Sequence, residues 1–213
     1  MTNTIIFDFD GTLVDTVDGI VASQVRMLEV LGLPVTERQM MVQAIGLPLK
    51  ECLRRGCNLP EDILDEAAAT YRTVFDEVAT PLIKDFPGVR PALEEFQRRG
   101  LRMCIATSRG SRSLGMILDN LDMNCFFDVI ITANDGLAPK PNPDMVLEIL
   151  RRTGAKAEET IVVGDTTFDL DMGAAAGCRT VGVSYGNHTV EQLLQARPAM
   201  IVDDMRRMLT DLL

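Results

Sequence analysis

Two carboxylates, Asp8 and Asp10, stand two residues apart where the apolar run from Thr4 to Phe7 ends. Residues i and i+2 of an extended chain leave it on the same side, so this spacing sets two negative charges beside each other. At about 4 Å such a pair repels by roughly 4 kcal/mol at an effective dielectric of 20. A cation, a shared proton or a nearby lysine must offset that. Either aspartate alone reads as a turn or helix-cap residue; the pair asks for more. Gly164-Asp165-Thr166-Thr167-Phe168-Asp169 closes another apolar run and offers two further oxygen donors. Asp165 alone also reads as the cap of a helix beginning near Phe168. Together the four make an acidic set suited to Mg²⁺, which takes a few carboxylates plus water and a substrate phosphate. Zinc is disfavoured by a single histidine and no clustered cysteines, and no calcium-loop pattern of the EF-hand type is present.

The chain also supplies groups that fit a phosphate. Lys140 sits in Ala138-Pro139-Lys140-Pro141-Asn142-Pro143, where flanking prolines stiffen the loop. Its ammonium can neutralise Asp8 and grip a phosphate. Thr107 and Ser108, followed by Arg109, can donate hydroxyl and backbone N–H bonds to phosphate oxygens, and the N–H groups of the turn at Gly11 and Thr12 can do the same. The single His188 reads as a loop or surface residue, since no nucleophile elbow accompanies it.

These residues need elements to hold them. The run from Thr4 is too short for a helix and reads as a buried strand. From Val17 to Leu31 apolar residues recur at helical spacing, stopped by Gly32 and Pro34. Thr36 with Gln39 resembles a capping box opening a second helix. Pro48 to Arg55 suits a third, and Pro60 at a first helical position leads into a fourth over Ile63 to Val78. No strand is expected from residue 15 to about 80. Beyond Pro81, strands at Leu101–Ala106, Phe127–Ile131, Thr160–Val163, Thr180–Val183 and Met200–Val202 alternate with helices at Pro91–Arg99, Leu114–Leu121, Pro143–Arg152 and Phe168–Ala176. Repeated strand–helix units imply a parallel sheet covered on both faces. The expected fold is thus a doubly wound α/β core, residues 1–14 and 82–213, with an inserted all-helical block, residues 15–81. Ligands of such sheets bind beyond the carboxyl ends of the strands, where Asp8 to Thr12, Thr107 to Arg109, the loop through Lys140 and Gly164 to Asp169 fall.

Composition narrows the setting. In 213 residues, 31 acidic against 21 basic side chains give a net charge of −10, which argues against a nucleic-acid partner. Five cysteines without a CxxC pair suit a reducing compartment. No apolar stretch of membrane-spanning length or secretory leader is evident, so a cytoplasmic protein without a membrane partner is expected.

The ordered set Asp8-x-Asp10-Gly11-Thr12, Thr107, Lys140-Pro141 and Gly164-Asp165-x-x-x-Asp169 resembles the haloacid dehalogenase superfamily over essentially the whole chain, and the helical block looks like that superfamily's cap of the first type. The resemblance implies a Rossmann-like core, Asp8 as nucleophile forming an aspartyl-phosphate, and Asp10 as the acid and base. It also implies Mg²⁺ held by the Asp8 carboxylate, the Asp10 backbone carbonyl and Asp165, with Asp169 a further or outer ligand, and Thr107 and Lys140 binding the phosphoryl group under a closing cap. The presence of Asp10 favours phosphoryl transfer over dehalogenation, and Thr12 favours hydrolysis over mutase activity. The run Phe9 to Thr16 and the segment Gly46-Leu47-Pro48-Leu49 look most like phosphoglycolate phosphatase-type members. A Mg²⁺-dependent phosphatase of a small phosphorylated metabolite is expected. The alternatives are a pyrophosphatase, nucleotidase or sugar-phosphate mutase, or a non-catalytic binding protein on the same scaffold. Lys50, Arg54, Arg55 and Arg109 are candidate substrate contacts that also read as ordinary surface charges. The oligomeric state is left open.

Overall fold

The computed structural model describes residues 2–211. The first strand, β1 (Thr4–Phe7), is wholly buried, as a continuous apolar strand must be when both sheet faces are covered. A two-residue strand, β2 (Val14–Asp15), leads into four helices: α1 (Val17–Val30), α2 (Arg38–Gln43), α3 (Leu49–Gly56) and α4 (Leu64–Ala79). The chain then returns through β3 (Lys84–Asp85), which pairs antiparallel with β2. The rest alternates: α5 (Val89–Arg98), β4 (Arg102–Ala106), α6 (Ser111–Asn120), β5 (Val129–Ile131), α7 (Asp144–Thr153), β6 (Thr160–Gly164), α8 (Thr167–Ala175), β7 (Arg179–Val183), α9 (Val190–Gln195), β8 (Met200–Val202) and α10 (Met208–Asp211).

Six strands form one parallel sheet in the order β5-β4-β1-β6-β7-β8. From β1 the chain winds to one side through β4 and β5, then crosses to the other through β6, β7 and β8. The crevice at such a reversal opens beyond the carboxyl ends of the central strands, here β4, β1 and β6. Side chains alternate as the pleat requires. Ile5 and Phe7 join Leu93 and Phe96 of α5 on one face, while Ile6, Cys104 and Val162 join Val146 and Ile149 of α7 on the other. A fully buried side chain such as Phe96 contributes about 1.5–3 kcal/mol. In the helical block α1 packs along α4, with Gly19 against Ala79, where an added Cβ would lie 3.0 Å from Ala79 Cβ.

The fold class and the strand–helix alternation agree with the sequence reading; several local expectations do not. Asp15 lies in β2, so a strand does enter the span read as strand-free. Thr36 is no helix cap: its hydroxyl donates to the Gly56 carbonyl at 2.7 Å, and α2 begins after Glu37 without a side-chain cap. Pro60 precedes a 3₁₀ turn, Glu61–Ile63, before α4 starts. Helix α9, opened by a capping box of Thr189 and Gln192, was not anticipated. Among the described residues no helix is long and apolar enough to cross a membrane.

Candidate active site

The loops after β1, β4 and β6 bring most of the expected residues together. Asp8 directly follows β1, and its N–H donates to the Val163 carbonyl at 2.9 Å, extending the sheet ladder. Asp165 and Asp169 follow β6. One carboxylate oxygen from each of Asp8, Asp165 and Asp169 lies within 4.8 Å of the others, and all three residues are buried. Lys140, also buried, donates from Nζ to Asp8 Oδ1 at 2.5 Å and to Asp169 Oδ1 at 2.6 Å.

The remaining oxygens of the cluster are held as well. Asp169 Oδ2 accepts from the Thr166 hydroxyl at 2.6 Å and the Thr166 N–H at 3.1 Å. These two residues form the capping box of α8, which corrects the alternative reading of Asp165 as that helix's cap. Asp165 is committed elsewhere: Thr12 Oγ1 donates to its Oδ1 at 3.0 Å, and the Asn187 N–H and Nδ2 both donate to its Oδ2 at 2.7 Å. Glycines make room for this crowding. A Cβ on Gly11, whose φ is +87°, would lie 2.3 Å from Asp165 Oδ2, and one on Gly164 would lie 2.1 Å from Asp169 Cβ. The Gly11 and Thr12 amides are engaged by their own turn, donating to the Val14 and Phe9 carbonyls.

Electrostatics follow from one ammonium facing three buried carboxylates. Burial holds Asp8 well above the usual carboxylate range; Lys140 pulls it down, and Asp169, Asp165 and Asp10 push it up. Burial, reinforced by Asp169, raises Asp165 to about 7 against the pull of Asn187 and Thr12. Burial also works against the charge on Lys140, but Asp169 and Asp8 outweigh it and hold its pKa above the ordinary value. An all-oxygen donor set with more negative than positive charge fits a hard divalent cation.

Asp10 faces a different environment. Thr16 donates to its Oδ1 at 2.6 Å, and Arg109 Nε donates to its Oδ2 at 2.9 Å while the guanidinium Nη2 grips Oδ1. Its carboxylate stands outside the acidic trio. The expectation for Mg²⁺ concerned its backbone carbonyl. Arg109 is no surface charge: its side chain is 7% exposed and its guanidinium lies 4.9 Å from the centroid of the Phe75 ring of α4. The Arg109 N–H donates to Thr107 Oγ1 at 3.1 Å, and Ser108 Oγ is buried without a hydrogen-bond partner. Asp8, Asp10, Thr107, Ser108 and Arg109 line one side of a cavity of about 560 Å³, and residues of the helical block line the other. Arg54 and Arg55 are not at this cavity; both pair with Glu51 on the outside of α3. His188 is half-buried, accepts from the Thr167 N–H at Nδ1 and is held below its ordinary pKa by burial.

The family model for haloacid dehalogenase-like hydrolases matches residues 5–183. The chain belongs to that family. Among curated relatives it is 38% identical over 207 residues to "Probable phosphatase IndB" of Dickeya dadantii, covering 95% of this chain and 90% of that protein. It is 32% identical to the pyrophosphatase PpaX of Halalkalibacterium halodurans, covering 95% and 93%. It is 30% identical to a phosphoglycolate phosphatase of Pseudomonas syringae pv. syringae, covering 96% and 78%. The protein is therefore a hydrolase of the haloacid dehalogenase type.

Sequence reasoning missed Thr16, Thr166, Asn187 and the aromatic face of α4. Asn187 had a usable signal: it lies in the polar Gly186-Asn187-His188 loop after β7, at the same sheet edge as the residues singled out.

Proposed function

We propose that this hydrolase is a Mg²⁺-dependent phosphatase of a small phosphorylated metabolite, with Asp8 as nucleophile. The observation that carries the reading is Asp8 on the cavity floor, fixed through Oδ1 by Lys140 and crowded by Asp165 and Asp169. Among the described residues Asp8 Oδ2 accepts no hydrogen bond, so it is available to attack. It bonds to phosphorus as the bond from phosphorus to the leaving oxygen breaks, and Asp10 delivers a proton to that oxygen. Asp10 then takes a proton from water, whose oxygen attacks the aspartyl-phosphate; the bond to Asp8 breaks and inorganic phosphate leaves. For this exchange Asp10 must part from Arg109, and an arriving phosphate dianion competes for the guanidinium. Phosphate oxygens fall to the hydroxyl of Ser108, to Thr107, to Lys140 and to Arg109, with the Gly11 and Thr12 amides requiring a shift of their turn to join them. Mg²⁺, held by Asp8, Asp165, Asp169 and the Asp10 carbonyl, would neutralise charge on the transferring phosphoryl group. The helical block, residues 15–81, would act as a cap over the site, limiting water there.

Purified protein with Mg²⁺ is expected to hydrolyse p-nitrophenyl phosphate, to lose this on chelation, and to lose it in Asp8→Asn. Undiminished turnover in that variant overturns the mechanism. A panel of 2-phosphoglycolate, pyrophosphate, nucleotides and sugar phosphates, with a check for isomer conversion, separates phosphomonoesterase from pyrophosphatase, nucleotidase and mutase.

A further inference from the structure

We infer that the cavity is shaped for a phosphomonoester whose leaving alcohol carries a ring-sized, largely apolar body, rather than for a two-carbon acid phosphate or pyrophosphate. This rests on the phosphatase reading above and names the class of substrate.

Two observations converge. The first is size and lining. At about 560 Å³ the cavity falls in the range that encloses a drug-sized ligand, whereas a phosphoryl group with two carbons fills only a fraction of it. The wall facing Asp8 and Asp10 is built from Ile20, Ile45, Leu47, Leu49, Tyr71 and Phe75. Leu47 and Leu49 are only half-buried, so the cavity holds apolar surface that a compact, fully charged substrate would leave in water. A ring covers that surface, and its removal from water favours binding.

The second observation is how the lining cations are used. A second anionic group close to the phosphate needs a cation of its own. Arg109, held by Asp10, is the cation that the phosphate itself claims, while Arg112 pairs with Asp76 at 2.6 Å and Lys50 with Asp65 at 2.5 Å at the exposed rim, where such pairs hold weakly. Arg72, an exposed residue of α4, is the remaining lining cation, and it makes no ion pair among the described residues. Among the lining cations, Arg109 is the one at the buried end, and beside the polar floor that end offers mainly the apolar side chains of the wall, which suits an uncharged body beside the phosphate and disfavours a compact dianion.

The test compares benzyl phosphate with ethyl phosphate, both esters of primary alcohols of similar acidity, and with 2-phosphoglycolate, all with Mg²⁺. Benzyl phosphate is expected to show the highest kcat/KM, at least about tenfold above ethyl phosphate, since a single methylene in an apolar pocket is already worth about ten- to two-hundredfold. In Leu49→Asn, a change at a half-buried helix start, the benzyl-to-ethyl ratio should fall several-fold. Calorimetric binding of benzylphosphonate and ethylphosphonate to the wild-type protein reads the same preference without turnover or a variant, and benzylphosphonate should bind more tightly. A benzyl-to-ethyl ratio near one with equal phosphonate affinities, or a preference for 2-phosphoglycolate, overturns the inference and leaves the phosphatase reading intact. No turnover of any ester overturns that reading, and the inference with it.

Discussion

The floor and the wall of the cavity are built on opposite principles. On the floor Asp8, Asp165, Asp169 and Lys140 are buried, and the carboxylates are held by named donors from Thr12, Thr166 and Asn187 as well as by the lysine. Fixed dipoles and charges of this kind need little rearrangement when charge moves, which is how a site stabilises a transferring group. The wall is mostly apolar. It comes from the helical block, which shares one hydrophobic cluster with the core and meets it also through Phe75 on Arg109 and Asp76 on Arg112, and it carries half-buried Leu47 and Leu49. Under the proposed function, the contrast assigns the chemistry to the sheet edge and selectivity to the helical block. Substitutions should therefore divide by region, with floor changes affecting every substrate and wall changes affecting some.

The largest effect is expected at the nucleophile. Asp8→Asn should lower kcat by at least about 10⁴-fold on all esters, a loss of the size seen when a nucleophile is removed, while circular dichroism shows the fold retained. Uneven losses across esters would break the division. Next comes Lys140→Met, which leaves two buried carboxylates without their ammonium and should destabilise the protein by about 3 kcal/mol in urea unfolding at pH 8. The penalty should shrink as pH is lowered from 8 towards 5, because burial, which already holds Asp8 above the usual carboxylate range, favours a proton there once the ammonium is gone. A penalty independent of pH would mean that the cluster is not coupled as described.

Arg109→Gln sits between the regions. It frees Asp10 and removes a donor to phosphate, and should lower kcat/KM by roughly 10²-fold with little dependence on the alcohol. A loss confined to bulky esters would assign Arg109 to the wall. The smallest effect is the response of stability to Mg²⁺. Asp165, raised to about 7 by burial, holds a proton in the folded state over a window where the unfolded chain has released it. Stability without the ion should therefore fall as pH rises from about 4 to 7. A cation that needs the ionised carboxylates stabilises more as pH rises. Adding Mg²⁺ should barely move Tm at pH 5 and raise it by a few degrees, on the order of 1 kcal/mol, at pH 8. An equal shift at both pH values would separate the ion from this cluster.

Much of the floor was legible because it is written in short runs at strand ends. Asp8, Thr107 and Asp165 each close an apolar strand, and the sheet edge does the rest; Lys140 was legible because crowded carboxylates need a cation. The choice of Asp165 or Thr166 as the cap of α8 was not, since both residue types suit the position and the decision comes from Thr12 and Asn187, distant in sequence, which claim Asp165. Strands β2 and β3 are two residues long and have no period to detect. The wall left the weakest trace: Tyr71 and Phe75 look like any apolar helix face, and only the packing of α4 across the sheet edge turns them toward the cavity and brings Arg109 beneath them.

The central claim, attack by Asp8 followed by hydrolysis of an aspartyl-phosphate, is tested most directly by the stereochemical course at phosphorus. A phosphorothioate monoester made chiral at phosphorus by sulfur and two oxygen isotopes, hydrolysed in water carrying the third isotope, should give chiral inorganic thiophosphate with net retention, the result of two in-line displacements. Net inversion would mean that water attacks the ester directly and would contradict the assignment of Asp8.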